Sequence, residues 1–301
     1  MRPPPTKIRS HARTRTPRER RPVTSDAPIL FISDLHLDAR RPDITAGLRQ
    51  LLQSWSGRCQ ALYVLGDLFE VWVGDDDDDP LVGEVADAFA SFVAGGSRLY
   101  FMAGNRDFLL GDDYAARCGM ERLSEPHRMH LFGHDAVLLH GDALCTDDTV
   151  HQEFRRVSLD PAWQARMLAQ PLAARRAIAA DVRAQSAHHT ANAPDAIMDV
   201  NRDAVARCYE DAGVRLMIHG HTHRPAIHRE EHPGHERIVL AAWHEQGNFL
   251  QVDSSGRRLE YFPPPRPRDS LPSVAQRRAR AASASMKASS RSLKPAARRA
   301  G

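Results

Sequence analysis

Five short polar motifs, each placed directly after a run of apolar residues, constrain this chain more than any other feature. Apolar runs of three or four residues are typical of buried strands in an open α/β sheet. In such a sheet, ligands bind beyond the carboxyl ends of the strands, so residues distant in sequence meet at one edge. The motifs bring carboxylate, imidazole and amide groups there, which predicts a divalent-cation site. They are Asp34-Leu35-His36, Gly66-Asp67, Gly104-Asn105-Arg106-Asp107, His140-Gly141-Asp142 and Gly220-His221-Thr222-His223.

The order of these motifs resembles that of the calcineurin-like metallophosphoesterases. That pattern runs Asp-x-His, Gly-Asp, Gly-Asn-His-Asp, His and Gly-His-x-His, and all five elements are present between residues 34 and 223. The third motif departs from it, because Arg106 stands in place of the His. Further matches narrow the resemblance to the UDP-2,3-diacylglucosamine pyrophosphohydrolases of lipid A synthesis. This resemblance covers the chain from Pro28 to Phe262. These matches lie at residues 67–70, 106–110, 144–148, 197–201 and 223–225.

The resemblance implies an α/β fold, a metallophosphoesterase-type αββα sandwich with an inserted helical cap. Residues 27–148 and 196–263 are predicted to form the core. Residues 149–195 are predicted to form the cap, because Thr149–Ala187 has helical composition and a structureless loop of that length is rare in a compact domain. Apolar residues at helical spacing predict three helices of the core. Short apolar runs predict three strands towards the C-terminal end of the core. The helices are Asp43–Ser54, Pro80–Ala94 and Met198–Ala212, and the strands Ile238–Ala241, Phe249–Val252 and Leu259–Phe262.

Seven residues of the motifs are candidate metal ligands. Asp34 and His36 lie two apart at a strand end, so in extended geometry they share a face. The resemblance implies two ions bridged by Asp67, which activate water and stabilise the leaving oxygen in attack on phosphorus. The mixed oxygen and nitrogen donors fit Mn²⁺, with Fe or Zn as alternatives. One ion would be held by Asp34, His36, Asp67 and His223, and the other by Asp67, Asn105, His140 and His221.

Arg106 and Asp67 are the predicted catalytic residues. A guanidinium cannot donate a proton at working pH, but it can bind phosphate oxygens bidentately. Splitting a pyrophosphate expels a phosphate monoester with a second pKa of about 6, a leaving group that needs no proton. Arg106 therefore favours cleavage of a phosphoanhydride over a phosphomonoester. The alternative is that Arg106 only neutralises nearby carboxylates.

The resemblance also implies substrate contacts, made by Asn105, Arg106, Asp148, Ser186, Thr190 and His221. Ser186 opens a cap motif Ser-x-x-x-Asn-x-x-Lys, but Thr190 replaces the Asn and Ala193 the Lys. Apolar cap residues are expected to pack within the cap or, by the resemblance, to form a wall for acyl chains. The acidic run Asp75–Asp79 is expected to be a solvated loop, and His188 and His189 to lie at the surface. His244 is expected to be structural, or to orient the metal site.

The net charge of +3 conceals a strong asymmetry, since residues 1–26 carry +6 and residues 264–301 carry +9. The body between them is therefore acidic, at −12. Both tails are poor in large apolar residues, which predicts disorder. They suit anionic membrane surfaces, or act only as solubilising extensions. No signal-like or membrane-spanning apolar run is found, and four scattered cysteines predict reduced thiols. We expect a cytoplasmic protein, peripheral on the inner face of the inner membrane.

Three functions fit these features to different degrees. The leading hypothesis is Mn²⁺-dependent hydrolysis of UDP-2,3-diacylglucosamine at the α-phosphorus, giving UMP and 2,3-diacylglucosamine 1-phosphate. The alternative is a broader metallophosphoesterase that acts on nucleotides or phosphodiesters. A basic cap and basic tails could suit a nuclease. Nucleic acid is nevertheless not the expected partner. A non-catalytic scaffold is disfavoured, because all seven candidate ligands are present.

Overall fold

Two mixed β-sheets lie at the centre of the fold in this computed structural model, which describes residues 24–194, 197–229, 233–244 and 246–263. The first sheet has six strands in the order β11-β10-β1-β2-β3-β4. They are β1 (Ile29–Ile32), β2 (Ala61–Leu65), β3 (Arg98–Met102), β4 (Glu121–Leu123), β10 (Gly247–Asp253) and β11 (Gly256–Phe262). The second has the order β5-β6-β7-β9-β8. Its strands are β5 (His127–Leu131), β6 (His134–Leu138), β7 (Leu216–His219), β8 (Ala226–His228) and β9 (Glu236–Val239).

Helices cover the outer face of each sheet. On the first sheet lie α1 (Pro42–Trp55), α2 (Pro80–Ala94) and α3 (Asp112–Cys118), and on the second lies α7 (Arg202–Ala212). Between the sheets, an apolar core joins residues of both, including Phe31, Leu65, Leu138 and Ile218. The layers are therefore helix, sheet, sheet and helix, which confirms the predicted αββα sandwich.

The direction of the strands places the motifs together. In the first sheet β1, β2 and β3 are parallel neighbours, and in the second β6 and β7 are parallel neighbours. Their carboxyl ends face one edge, where all five motifs follow. All five residues of β2 are buried, as expected for a strand covered on both faces. We call this edge, formed by the residues after β1, β2, β3, β6 and β7, the rim.

Three further helices stand over the rim and form the cap. They are α4 (Thr149–Ser158), α5 (Pro161–Leu168) and α6 (Leu172–Asn192). Asp148 and Asp160 begin the first two, since their carboxylates accept hydrogen bonds from the backbone nitrogens of His151 and Ala162. The helical segment falls within the predicted 149–195.

Several boundaries differ from the sequence prediction. The helix predicted from Met198 begins at Arg202, because the Asn201 side chain accepts hydrogen bonds from the backbone nitrogens of Asp203 and Ala204 and caps it there. The short strands β4, β5 and β8 were not predicted. The two predicted tails lie almost entirely outside the described residues. Within the described part of the chain, no helix is both long and apolar enough to cross a membrane.

Candidate metal centre and adjoining cavity

The structure brings all seven candidate ligands together at the rim. In one half, His223 Nε2 lies 3.3 Å from both His36 Nε2 and Asp34 Oδ1. In the other half, Asn105 Oδ1 lies 3.0 Å from both His140 Nε2 and His221 Nδ1. The rim is thus a continuous cluster of oxygen and nitrogen donors.

Asp67 lies between the two halves. Its Oδ2 is 3.8 Å from His36 Nε2, and its Oδ1 is 3.6 Å from His140 Nε2. The carboxylate is almost completely buried, at 2% exposure. Its two oxygens therefore face different halves, which is the arrangement that a bridging ligand needs.

The donor set fits divalent cations. Ligand atoms of Asp34, His36 and His223 lie within 4.8 Å of one another, as do those of Asp34, Asp67 and His140. The Asp34 Oδ1 atom is buried and accepts no hydrogen bond. Buried carboxylates are costly unless they are paired or bind a metal. The family resemblance and this unsatisfied oxygen both point to a bound divalent cation.

The backbone at the rim is unusual. Five candidate ligands have left-handed φ values, a conformation that costs free energy for residues other than glycine. In the described chain, Phe132 is the only other non-glycine residue with positive φ. The five are Asp34 (φ 54°), His36 (φ 49°), Asp67 (φ 53°), His221 (φ 66°) and His223 (φ 55°). The surrounding fold imposes these conformations, so the ligand positions are fixed by backbone as well as by side-chain contacts.

Two glycines of the motifs allow neighbouring loops to touch. A Cβ atom on Gly104 would lie 2.6 Å from the backbone nitrogen of Asp67. Gly66 has φ +86°, and a Cβ atom there would lie 2.7 Å from the Gly104 Cα. Any side chain at either position would push the second and third motifs apart.

Asp107 positions two loops of the rim, a role that was not predicted from its place in the sequence. Its buried carboxylate accepts hydrogen bonds from the backbone nitrogens of Leu68 and Gly104, each at 2.7 Å, and of Asp67 at 3.3 Å. It therefore clamps the loop that carries Asp67 to its own loop. The fourth position of the Gly-Asn-Arg-Asp motif was the signal that could have identified it.

Charges compete strongly within the rim. Burial opposes the charged form of His36, but the carboxylates of Glu70 and Asp67 outweigh burial and raise the His36 pKa to about 9. Burial likewise opposes the charge on His140, while Asp67 and Asp34 raise its pKa to about 10. Burial, with the nearby His140, lowers the pKa of His221 to about 3. Burial raises the pKa of Asp67 to about 6. A divalent cation would satisfy these groups together.

Arg106 stands at the border between the rim and a cavity. Its backbone nitrogen donates a hydrogen bond of 2.9 Å to Asp67 Oδ1, and its Nε lies 3.8 Å from Asp67 Oδ2. That Nε is buried and makes no hydrogen bond. The guanidinium thus retains donor capacity next to the candidate ligands.

The cavity lies between the rim and the cap and has a volume of about 200 Å³. Apolar side chains of the cap face it, and Phe108 of the core packs 5.9 Å from the rings of both Phe154 and Trp163. Asn105 and Arg106 line its polar end. The cavity therefore has an apolar wall and a polar end.

The three predicted cap contacts lie in different surroundings. Ser186 lines the cavity, whereas Thr190 is exposed. Asp148 lies behind His189 and is bound to it, with both carboxylate oxygens 3.0 Å from His189 Nε2. His189, predicted to lie at the surface, is partly exposed and also lines the cavity. Its neighbour His188 is exposed, as predicted.

The acidic loop Asp75–Asp79 is solvated at Asp76, Asp78 and Asp79, as predicted, but it also makes contacts that the sequence did not indicate. Asp76 accepts a hydrogen bond of 2.7 Å from Arg175 of α6, and Asp78 one of 2.5 Å from Arg176. Asp75 accepts from backbone nitrogens at α3, and Asp79 caps α2. The loop therefore fastens the cap to the core. These partners are distant in sequence, so local charge patterning could not reveal them.

A half-buried network of ion pairs holds α4 against the same rim. Arg155 donates to Glu125 Oε2 at 2.7 Å and to Asp142 Oδ2 at 3.1 Å. Glu125 Oε1 in turn accepts a hydrogen bond of 2.7 Å from the backbone nitrogen of His140. On the opposite side, His244 Nε2 lies 3.3 Å from His223 Nδ1, which favours the orienting role considered for His244.

Comparison with known proteins agrees with this geometry. The family model described as calcineurin-like phosphoesterase matches residues 27–225. The chain therefore belongs to the calcineurin-like phosphoesterase family, a class of hydrolases. Within this class it is similar to a protein of Cellvibrio japonicus (strain Ueda107) named UDP-2,3-diacylglucosamine hydrolase, with 50% identity over 232 residues, 76% of this chain and 97% of that protein. A relative of the same name from Aeromonas hydrophila is 50% identical over 233 residues, 77% of this chain and 97% of the relative. The resemblance predicted from the motifs is confirmed.

Proposed function

We propose that this enzyme hydrolyses the pyrophosphate of UDP-2,3-diacylglucosamine by attack at the α-phosphorus, releasing UMP and 2,3-diacylglucosamine 1-phosphate. The observation that carries the proposal is an apolar cavity that opens onto a cluster of metal-type donors, with Arg106 at the junction. A substrate with a charged diphosphate and two acyl chains requires this combination. The names of the relatives support the same substrate.

The proposed cofactors are two Mn²⁺ ions, and the mixed carboxylate, amide and imidazole donors support this choice over softer metals. Asp34, His36, Asp67 and His223 would hold one ion, and Asp67, Asn105, His140 and His221 the other. When bound, such ions lower the pKa of water and offset charge on phosphoryl oxygens. Asp67 would be shared by both sets of ligands. His140 is oriented by its Nδ1, which donates a hydrogen bond of 2.8 Å to the Leu65 carbonyl and leaves Nε2 facing the rim.

Arg106 is the proposed phosphate-binding residue. Its unsatisfied Nε and its position beside Asp67 support a contact with the diphosphate. A guanidinium stabilises phosphate oxygens as a bidentate donor but cannot release a proton. This suits expulsion of a phosphate monoester, which leaves without protonation. Asp67 and Arg106 together are the proposed catalytic residues.

The remaining proposed contacts bind the sugar and its acyl chains. Asn105 and His221 lie at the rim beside the diphosphate site, and Ser186 offers a hydroxyl within the cavity. Asp148 would act through His189, which it holds against the cavity. Thr190 stands one residue further along α6, and a role for it requires contact at the cavity entrance.

We further propose that the cap meets an anionic membrane, which supplies the lipid substrate and places the protein peripherally on the cytoplasmic side of the inner membrane. The exposed apolar residues Val150, Leu159, Leu168 and Ile178, all in or next to cap helices, support this orientation. The basic tails add long-range attraction. Nucleic acid is not proposed as a partner.

The test is a product assay on the full chain in detergent, comparing Mn²⁺-loaded protein with protein stripped by EDTA. We expect UMP and 2,3-diacylglucosamine 1-phosphate from the loaded protein alone. UDP-N-acetylglucosamine, which lacks the two acyl chains, and a nitrophenyl phosphodiester are the comparison substrates. Faster cleavage of either one than of the lipid would contradict the proposal and favour a broader phosphoesterase.

A further inference from the structure

We propose that Arg183 and Glu70 couple the docking of cap helix α6 on the core to the orientation of His36. We call this pair of residues the relay. Metal binding at the rim and docking of the cap are then energetically linked. The inference rests on the proposed metal site but not on the proposed substrate, so it can be tested without the lipid.

The relay consists of two successive ion pairs. Glu70 Oε2 lies 3.0 Å from His36 Nδ1, within ion-pair distance. The other oxygen of the same carboxylate, Oε1, accepts a hydrogen bond from Arg183 Nη2 of α6. Glu70 therefore touches a candidate ligand with one oxygen and the cap with the other.

His36 depends on this carboxylate for its orientation. The carboxylate engages Nδ1, which leaves Nε2 facing His223 and Asp67. A carboxylate on the far nitrogen of a metal-binding histidine fixes its ring and tautomer, and its loss typically weakens metal binding about 10–100-fold. His140 differs, because a backbone carbonyl of β2 holds its far nitrogen. A cap residue can thus influence His36 through the side chain of Glu70. The corresponding nitrogen of His140, Nδ1, is held by backbone, so the cap has no such route to it.

The core side of the relay is rigid. The backbone nitrogen of Glu70 donates a hydrogen bond of 3.1 Å to the Leu37 carbonyl, and Leu37 forms a parallel bridge with Phe69. Glu70 and His36 are therefore held in register by the backbones of their own loops. Movement in the relay must come from the Arg183 end, on α6.

Helix α6 also supplies matched controls. Its other arginines, Arg175 and Arg176, pair with acids of the Asp75–Asp79 loop. In the described contacts, those acids do not touch a candidate metal ligand. Arg176 and Arg183 thus each provide one tether between cap and core, but only the tether of Arg183 continues to His36.

Linkage makes the coupling reciprocal. If a seated cap strengthens metal binding by some factor, then metal binding strengthens seating of the cap by the same factor. The proposal therefore predicts an effect of Mn²⁺ on α6 as well as an effect of α6 on Mn²⁺ binding.

The first measurement is amide hydrogen exchange in α6 with and without Mn²⁺, in the wild type and in Arg183→Met, Glu70→Gln and Arg176→Met. We expect Mn²⁺ to slow exchange in the wild type and in Arg176→Met. In Arg183→Met and Glu70→Gln this protection should be lost. Equal Mn²⁺-dependent protection in all four proteins would overturn the relay.

The second measurement is Mn²⁺ affinity, read from the electron paramagnetic resonance signal of the free ion. Arg183→Met should weaken binding by up to about tenfold, less than direct loss of the carboxylate contact, and Arg176→Met should stay within about twofold. Arg183→Lys, which retains the charge, should restore part of the affinity. Equal losses in Arg176→Met and Arg183→Met would show that tethering in general, and not the relay, sets the affinity. Neither measurement uses the lipid, so both stand even if another substrate is found.

Discussion

The rim and the cap serve the same proposed substrate but are stabilised in different ways. Rim side chains follow buried strands, and three of the seven candidate ligands, Asp34, Asp67 and His140, are themselves buried, with Asp34 and His140 at 0% exposure. In the three cap helices, by contrast, Ser158 and Arg175 are the only described residues that are buried. The cap has no separate apolar core and depends on ion pairs and half-buried apolar side chains.

This difference predicts different responses to perturbation. Rim geometry is set by backbone, so it should resist salt and respond sharply to single substitutions. Exposed ion pairs contribute about 0–1 kcal/mol each and are screened by salt, so an exposed tether of α6 such as Arg176 to Asp78 should loosen more easily. Arg155 pairs with two acids at once, Glu125 and Asp142, which gives α4 a firmer attachment. The cap is therefore expected to move at α6 while the rim stays fixed.

The largest effect is expected from Asp67→Ala. Loss of a carboxylate that faces both halves of the rim should lower turnover at least about 1000-fold, or about 4 kcal/mol in the barrier. Circular dichroism should remain that of the wild type, since the change removes a buried charge. Metal content and hydrolysis rate should be measured on the same sample. Activity near the wild-type value with full metal content would contradict the assignment of Asp67 as a bridging ligand.

A smaller loss is expected from Arg106→His. Charge-assisted hydrogen bonds contribute about 1.5–3 kcal/mol, so kcat/KM for the lipid should fall between about 10-fold and 100-fold. Mn²⁺ affinity should change little, because Arg106 is not a candidate ligand. Weaker metal binding without a kinetic defect would contradict this role. New activity on a phosphomonoester with an alkoxide leaving group would support the leaving-group argument.

The cap is best probed by Trp163→Ala, which removes a ring that lines the cavity and packs on Phe108. We expect kcat/KM for the diacyl substrate to fall about tenfold, since an aromatic contact with its apolar area contributes roughly 1.4 kcal/mol. Mn²⁺ affinity should be unchanged. Short-chain substrate analogues provide the control, and an equal loss on them would show that the ring stabilises the cap without contacting acyl chains.

The smallest effect on chemistry is expected from deleting residues 1–26 and 264–301, whose combined charge is +15. Turnover in detergent should be unaffected, while cosedimentation with anionic vesicles should weaken. Each basic residue near the surface adds roughly 1 kcal/mol at most, screened over about 8 Å at physiological salt. Deletion of either tail alone is the control. Equal binding of full-length and shortened protein at low salt would assign docking to the cap.

The rim was predictable because its signals are local. Each candidate ligand follows an apolar run at a fixed spacing, so strand ends and donors could be read together. The positive φ values at residues such as Asp34 and His223 could not be predicted from the sequence, because they arise from the packing of the loops. Asp107 was missed for a related reason, since its partners are backbone nitrogens of two loops.

The cap was predictable only in outline. Helical composition indicated its extent, but its contacts join residues far apart in sequence, such as Arg175 and Asp76 at a separation of 99. Hence the cavity position of His189 and the pairing of the acidic loop with the cap were not predicted. Short edge strands such as β8 carry too few residues for a period of two to be recognised.

Attack of water at the α-phosphorus is measured by hydrolysis in ¹⁸O-labelled water. Mn²⁺-loaded protein would be incubated with UDP-2,3-diacylglucosamine in detergent, and both products analysed by mass spectrometry. Attack at the α-phosphorus predicts one ¹⁸O atom in UMP and none in 2,3-diacylglucosamine 1-phosphate. Label in the lipid phosphate, or the absence of Mn²⁺-dependent hydrolysis, would contradict the account.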